Sequence, residues 1–205
     1  MKWYSPSAIA LIIANLLPLY GVLFWSWSVL ALLVLFWLEI IVVGLLAVLR
    51  MLIASPSRDP PPLKNFAWML GFCILYTVFV LGLGVATFGF FGDLEGVMPF
   101  EGGLLPLDQT ARLLEKRGLW PALAALCASH AFSFLWNYVG HGEYRRARLK
   151  DLMWEANSRV YIMVFSLFFG MLFMQLGSPV WGLAILIGFK IWLDLEAHLR
   201  AHRAA

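Results

Sequence analysis

Long apolar runs parted by short polar or proline-rich breaks set out the architecture. From Ser5 to Phe24 the run is apolar around Asn15, and about 20 such residues suffice for a helix to cross the hydrocarbon core of a bilayer. The stretch Trp25 to Ser28 (WSWS) reads as a tight turn, its two indoles at the headgroup level that amphipathic rings favour. A second run continues to Ile53. The segment Ser55 to Lys64, SPSRDPPPLK, holds consecutive prolines and cannot stay helical, so a third run opens at Asn65 and continues to Phe91. Between Gly92 and Gly118 lies the one sizeable polar stretch. There Asp108 ahead of QTARLLEKR and Gly118 behind it predict an N-cap, a short amphipathic helix and a glycine stop. Three more runs follow: the fourth opens with Trp120 and Pro121, the fifth at Arg159, and the sixth after the turn Gly177 to Pro179.

The pattern predicts an all-α membrane protein. It forms a single domain over residues 1–205, a helical bundle of six spans at about 5–24, 28–53, 65–91, 119–140, 159–176 and 179–199, with a short extracytoplasmic amphipathic helix between the third and fourth. The first run lacks a basic start and a small-residue cleavage site and is interrupted by Pro18, so it reads as a retained span rather than a signal peptide.

Composition agrees: 62% of the residues are hydrophobic and 13% charged, where a soluble domain carries roughly 25% charged residues. The net charge of +3 says less than its distribution. Basic residues crowd one set of breaks, at Arg50, Arg58 and Lys64, then Arg145, Arg146, Arg148 and Lys150, then Arg200 and Arg203, whereas the stretch 92–118 is slightly acidic. By the positive-inside rule both termini face the cytoplasm of a bacterial inner membrane. Cys73 and Cys127 fall at different depths, which argues against a disulfide. No P-loop, dinucleotide fingerprint, haem-attachment motif or HExxH occurs, and the lack of GxSG excludes a rhomboid-type protease. The basic patch Glu143 to Lys150 lacks the aromatic interleaving that nucleic-acid binding would need.

Charged groups inside the runs are costly, about 2.5 to 3.5 kcal/mol each on insertion scales. Stepping about 1.5 Å per residue through a core of about 30 Å puts Glu39 of the second span, His130 of the fourth and Lys190 of the sixth in one layer. Asn137 follows His130 by seven residues, and Asp194 and His198 stand at i+4 and i+8 from Lys190, each series on one helix face. The expectation is a pocket bounded by these three spans and lined by Glu39, His130, Ser133, Asn137, Lys190, Asp194 and His198, with Glu39 and His130 as a proton-exchanging pair. The plainer reading is structural: Lys190 and Asp194 pair along their own helix, and His130 bonds a backbone carbonyl. Glu39, flanked by FWL and IIVVG, has no local partner.

Three functions fit such a pocket. Gating or transport of protons, ions or a small solute comes first; six spans are few for that task, which points to a homodimer, and Gly82, Gly84 and Gly89 suit close helix contact. An intramembrane enzyme acting on a lipid or quinone comes second. It would use His130 as general base and Arg159 with Arg145 to hold an anionic headgroup. Arg145, Arg146 and Arg148 would in any case attract anionic lipid at the cytoplasmic face. A metal-dependent version would bind a divalent ion through Glu39, His130 and Asp194, with Cys127 one turn from His130. In the third reading the cluster is glue in a structural or assembly partner.

The stretches FWLEIIVVGLLAVLRML and SHAFSFLWNYVGHGEYRR, the lone Arg159 and the C-terminal KIWLDLEAH together resemble a family of uncharacterised prokaryotic integral membrane proteins of about this length. By that resemblance Glu39, His130, Ser133, Asn137, Glu143, Arg159, Lys190, Asp194 and His198 match signature positions. The family typically has a histidine in its fifth span; the stretch VYIMVFSLFFG has none, which counts against a metal site needing a ligand there. The resemblance implies no activity.

Overall fold

A computed structural model describes residues 20–21, 24, 27–54, 62–92, 96, 107–175 and 188. Most of the run 5–24 and nearly all of 179–199, with Lys190, Asp194 and His198, lie outside the described residues.

Among the described residues the chain is helical, without a strand. Helix α1 covers Val29–Ile53, α2 Pro62–Phe91, α3 Leu107–Lys116, α4 Trp120–Ser133 and α5 Leu149–Gln175. A π-helix, Phe134–Gly140, continues α4, and a 3-10 turn at Glu143–Arg145 leads towards α5. Among the described residues three segments are long and apolar enough to cross a membrane: α1, α2 from Leu63, and α4 with its π continuation.

Local chemistry sets the boundaries. The Ser28 hydroxyl accepts the Ala31 amide at 3.2 Å and caps α1, while Pro62, with no amide to satisfy and φ already fixed, starts α2. Helix α3 lies where the sequence places it, with Asp108 inside the first turn rather than ahead of it. Gly118, at φ 61°, turns the chain into α4. The fifth helix begins at Leu149, not Arg159. The stretch LKDLMWEANS contains no proline or glycine, so nothing in it stops a helix that its polar residues can present to an exposed face.

Helix α1 is the centre. Every residue from Leu30 to Trp37 is buried, and a helix apolar all round belongs in a core. Side-chain contacts give the helix directions. Glu39 meets His130 and Arg50 meets Tyr138, so α1 and α4 run parallel. Glu39 meets Arg159 and Arg50 meets Glu155, so α1 and α5 run antiparallel.

Two reciprocal contacts lock α1 to α2. The Trp37 indole donates to the Val80 carbonyl at 2.8 Å and lies on Gly84, where a Cβ would come within 2.6 Å of its ring. The Tyr76 hydroxyl donates to the Ile40 carbonyl at 2.8 Å and lies on Gly44, where a Cβ would come within 2.2 Å. In each, an aromatic ring fills the space a glycine leaves, and its polar atom bonds the carbonyl one turn before that glycine. This fixes the height of α1 one residue away from Glu39.

The outward faces of α2 and α4 are apolar and exposed, at Phe66, Trp68, Leu75 and Phe79, and at Phe132, Leu135 and Trp136. Exposed apolar surface of this extent needs an apolar surrounding.

Candidate functional site

Glu39 lies midway along α1 with its side chain 8% exposed. Its oxygen Oε1 faces two cationic or potentially cationic groups from different helices. Arg159 of α5 places Nη1 at 2.5 Å, and His130 of α4 places Nε2 at 3.6 Å. Arg159 reaches this depth because α5 starts early. Counted from Leu149 it lies nearly three helical turns in, not at a helix end.

A second pair joins the same two helices. Arg50 Nη1 lies 3.0 Å from both carboxylate oxygens of Glu155, whose side chain is 53% exposed. Glu155 and Arg159 are one turn apart on α5, and Glu39 and Arg50 share a face of α1 three turns apart. The antiparallel packing therefore pairs acid with base crosswise. Since the separation along α1 exceeds that along α5, the long arginine side chains close the difference. Between the pairs lies a small open hollow of about 20 Å³, lined by Val43, Ala47, Arg50, His130, Glu155 and Arg159 among others. Ala47 and Ala156 leave the space, and Val43, Leu46 and Leu152 keep its walls apolar. A smaller hollow on the far side of the buried pair is lined by Phe36, Glu39, Ile40, Arg159, Ile162 and Met163.

Tyr138 anchors the Arg50 end: its hydroxyl donates to the Arg50 carbonyl at 2.6 Å, and its ring lies 5.5 Å below the Arg50 guanidinium. The π-helix gives it that position. A π turn rotates each residue by less than the α step, so the residues after Ser133 fall behind the face that His130 occupies. Tyr138 is buried as a result, and Asn137, expected beside His130, is exposed and donates to Ser133 Oγ at 3.3 Å.

The sequence-derived candidates thus separate. Glu39 and His130 are brought together. Ser133 and Asn137 bond one another away from the carboxylate. Arg159, read as a headgroup contact, is tied to Glu39, whereas Arg145, Arg146 and Arg148 are exposed, Arg145 against the Tyr144 ring and hydroxyl. Glu143, also exposed, opens the 3-10 turn. Lys190, Asp194 and His198 cannot be placed, being outside the described residues. Among the described residues no group of three histidine, cysteine or carboxylate side chains is arranged to hold a metal ion. Glu39 with His130 supplies two ligands at most, and the guanidinium on Glu39 already provides the positive charge a metal would bring. Arg50 and Glu155 are the wall residues that sequence reading missed, and Arg159 was named but given a different partner. The spacing Asp151, Glu155, Arg159 at i, i+4, i+8 was the available signal, since it marks one charged face of a helix continuous with the apolar run.

No curated protein and no solved structure matches the chain. A family model does match, over residues 3–205, and by it the chain belongs to a family of unknown function, DUF6498.

Proposed function

We propose that the protein is a membrane-embedded bundle that gates the movement of a proton, an ion or a small solute through the hollow between α1, α4 and α5. The observation that carries this reading is the sharing of one buried carboxylate oxygen by a guanidinium and an imidazole. Arg159 keeps its charge at all relevant pH values, whereas an imidazole changes charge in the physiological range. His130 competes with Arg159 for Glu39 Oε1, and the winner decides whether Arg159 stays on Glu39 or turns toward the hollow. That is a two-state element of the kind gating requires.

The reading includes six spans in a bacterial inner membrane with both termini cytoplasmic, supported by the basic breaks and the three apolar helices. Arg50, Glu155 and the 3-10 turn then stand at the cytoplasmic mouth. A homodimer is part of the proposal, since the apolar outer face of α2 offers a surface for a second copy. The lipid-enzyme reading has less support, because Arg159, one of the two arginines cast as its headgroup clamp, is engaged by Glu39.

The test is flux in liposomes reconstituted with the full-length protein, followed with pH-sensitive and ion-sensitive dyes. Wild type should pass protons or a small ion above empty liposomes, and Glu39→Gln, which removes the carboxylate charge, should lower that flux by about tenfold or more while leaving it measurable. Background flux for wild type across protons, inorganic ions and small metabolites overturns the reading.

A further inference from the structure

Resting on the reading of the hollow as a passage, we infer that its occupant is a small monovalent anion of halide, nitrate or formate size, held by Arg50. Hydrogen-bonding capacity is the argument. The acceptors at hand are already engaged: both carboxylate oxygens of Glu155 face Arg50 Nη1, and Glu39 Oε1, beside the hollow, faces both Arg159 and His130. Donors are in surplus. Arg50 binds Glu155 through Nη1 alone, and its Nε is buried with no hydrogen-bond partner among the described residues. A guanidinium carries five N–H donors and no acceptor, so what completes Arg50 is an acceptor. Both guanidinium groups lining the hollow are paired with a carboxylate, and moving the half-exposed Glu155 off Arg50 leaves one of them uncompensated, which then repels a cation and attracts an anion. The wall is otherwise apolar and the enclosed space is small, about 20 Å³, which suits an occupant of one or a few atoms.

Glu155 has a defined part in this arrangement. Its carboxylate, half in solvent, sits on Arg50 as a tethered stand-in for the free anion. Entry of the anion displaces it, and return of Glu155 expels the anion. Removing Glu155 therefore strengthens anion binding, whereas a purely structural ion pair would give no such gain.

The experiment follows the thermal unfolding midpoint of the purified full-length protein in uncharged detergent, titrated with sodium chloride, nitrate or formate against sodium gluconate at constant ionic strength. The expected result is a saturable rise with the small anions and none with gluconate. The rise should be lost in Arg50→Gln, reach half-saturation at a several-fold lower concentration in Glu155→Gln, and be unchanged in Arg112→Gln, on the exposed face of α3. Equal responses to the small anions and gluconate overturn the inference, as does unchanged or weaker anion binding in Glu155→Gln, which keeps the test decisive should Arg50→Gln fail to fold. Stabilisation by added phosphatidylglycerol but by none of the three small anions assigns Arg50 to a lipid phosphate and overturns the free-anion occupant. Anion binding without flux in liposomes overturns the gating reading and leaves the anion site standing.

Discussion

The two ion pairs that join α1 to α5 use the same residue types and differ in what surrounds them. At Glu39 and Arg159 the carboxylate is almost wholly buried and a third group, His130, stands by. At Arg50 and Glu155 the carboxylate is half in solvent and the arginine rests on a tyrosine ring. Water can solvate the Glu155 carboxylate of the second pair. It cannot readily do so in the first, where loss of one partner leaves a charge stranded. The same crosswise packing thus yields one pair that must stay satisfied and one that can open.

Stability measurements on purified protein in detergent can break or sharpen that contrast. Arg159→Ala should have the largest effect, about 3–5 kcal/mol of lost stability, because Glu39 is left buried without its main partner. Replacing both, as Glu39→Leu with Arg159→Leu, should recover most of that loss, since a matched apolar pair strands nothing. If the double variant is as unstable as the single, the buried pair is not what Arg159 contributes. Next comes Gly44→Ala. A Cβ there would lie 2.2 Å from the Tyr76 ring, and displacing that ring should cost about 1–3 kcal/mol, felt at the buried pair because Tyr76 also bonds the carbonyl next to Glu39. Tyr76→Phe keeps the packing and removes only the hydrogen bond to Ile40, about 0.5–1.5 kcal/mol. Smallest should be Glu155→Gln, below about 1 kcal/mol, as for other solvent-exposed pairs. A loss at Glu155 rivalling that at Arg159 would erase the distinction between the two.

The convergence of Glu39 and His130 was legible because each lies in an apolar helix far from any local partner, and depth counted along the helices places them in one layer. The third member was not legible. Arg159 reads as the opening residue of a span only if the helix starts there, and the polar stretch before it hides that α5 is already under way at Leu149. Asn137 was misplaced for the opposite reason: a constant 3.6-residue turn puts it on the face of His130, and the π-helix breaks that regularity with no glycine or proline before it, Gly140 standing only at its far end. Of the α2 glycines read as sites of close approach, Gly84 receives Trp37 while Gly82 and Gly89 meet nothing within 4 Å, and Gly44 of α1, which receives Tyr76, was not read, since such pairing depends on the register between two helices. The short helix Leu107–Lys116 was found because capping, amphipathicity and the glycine stop agree there.

The most direct test of the central claim, that Glu39, His130 and Arg159 act as one unit, is a double-mutant cycle in reconstituted flux comparing Glu39→Gln, His130→Ala and the two combined. Groups sharing one oxygen should be non-additive: each single change should lower flux by about tenfold or more, and the double should be no slower than the slower single. Losses that multiply in the double variant, or a His130→Ala protein with wild-type flux, would contradict it.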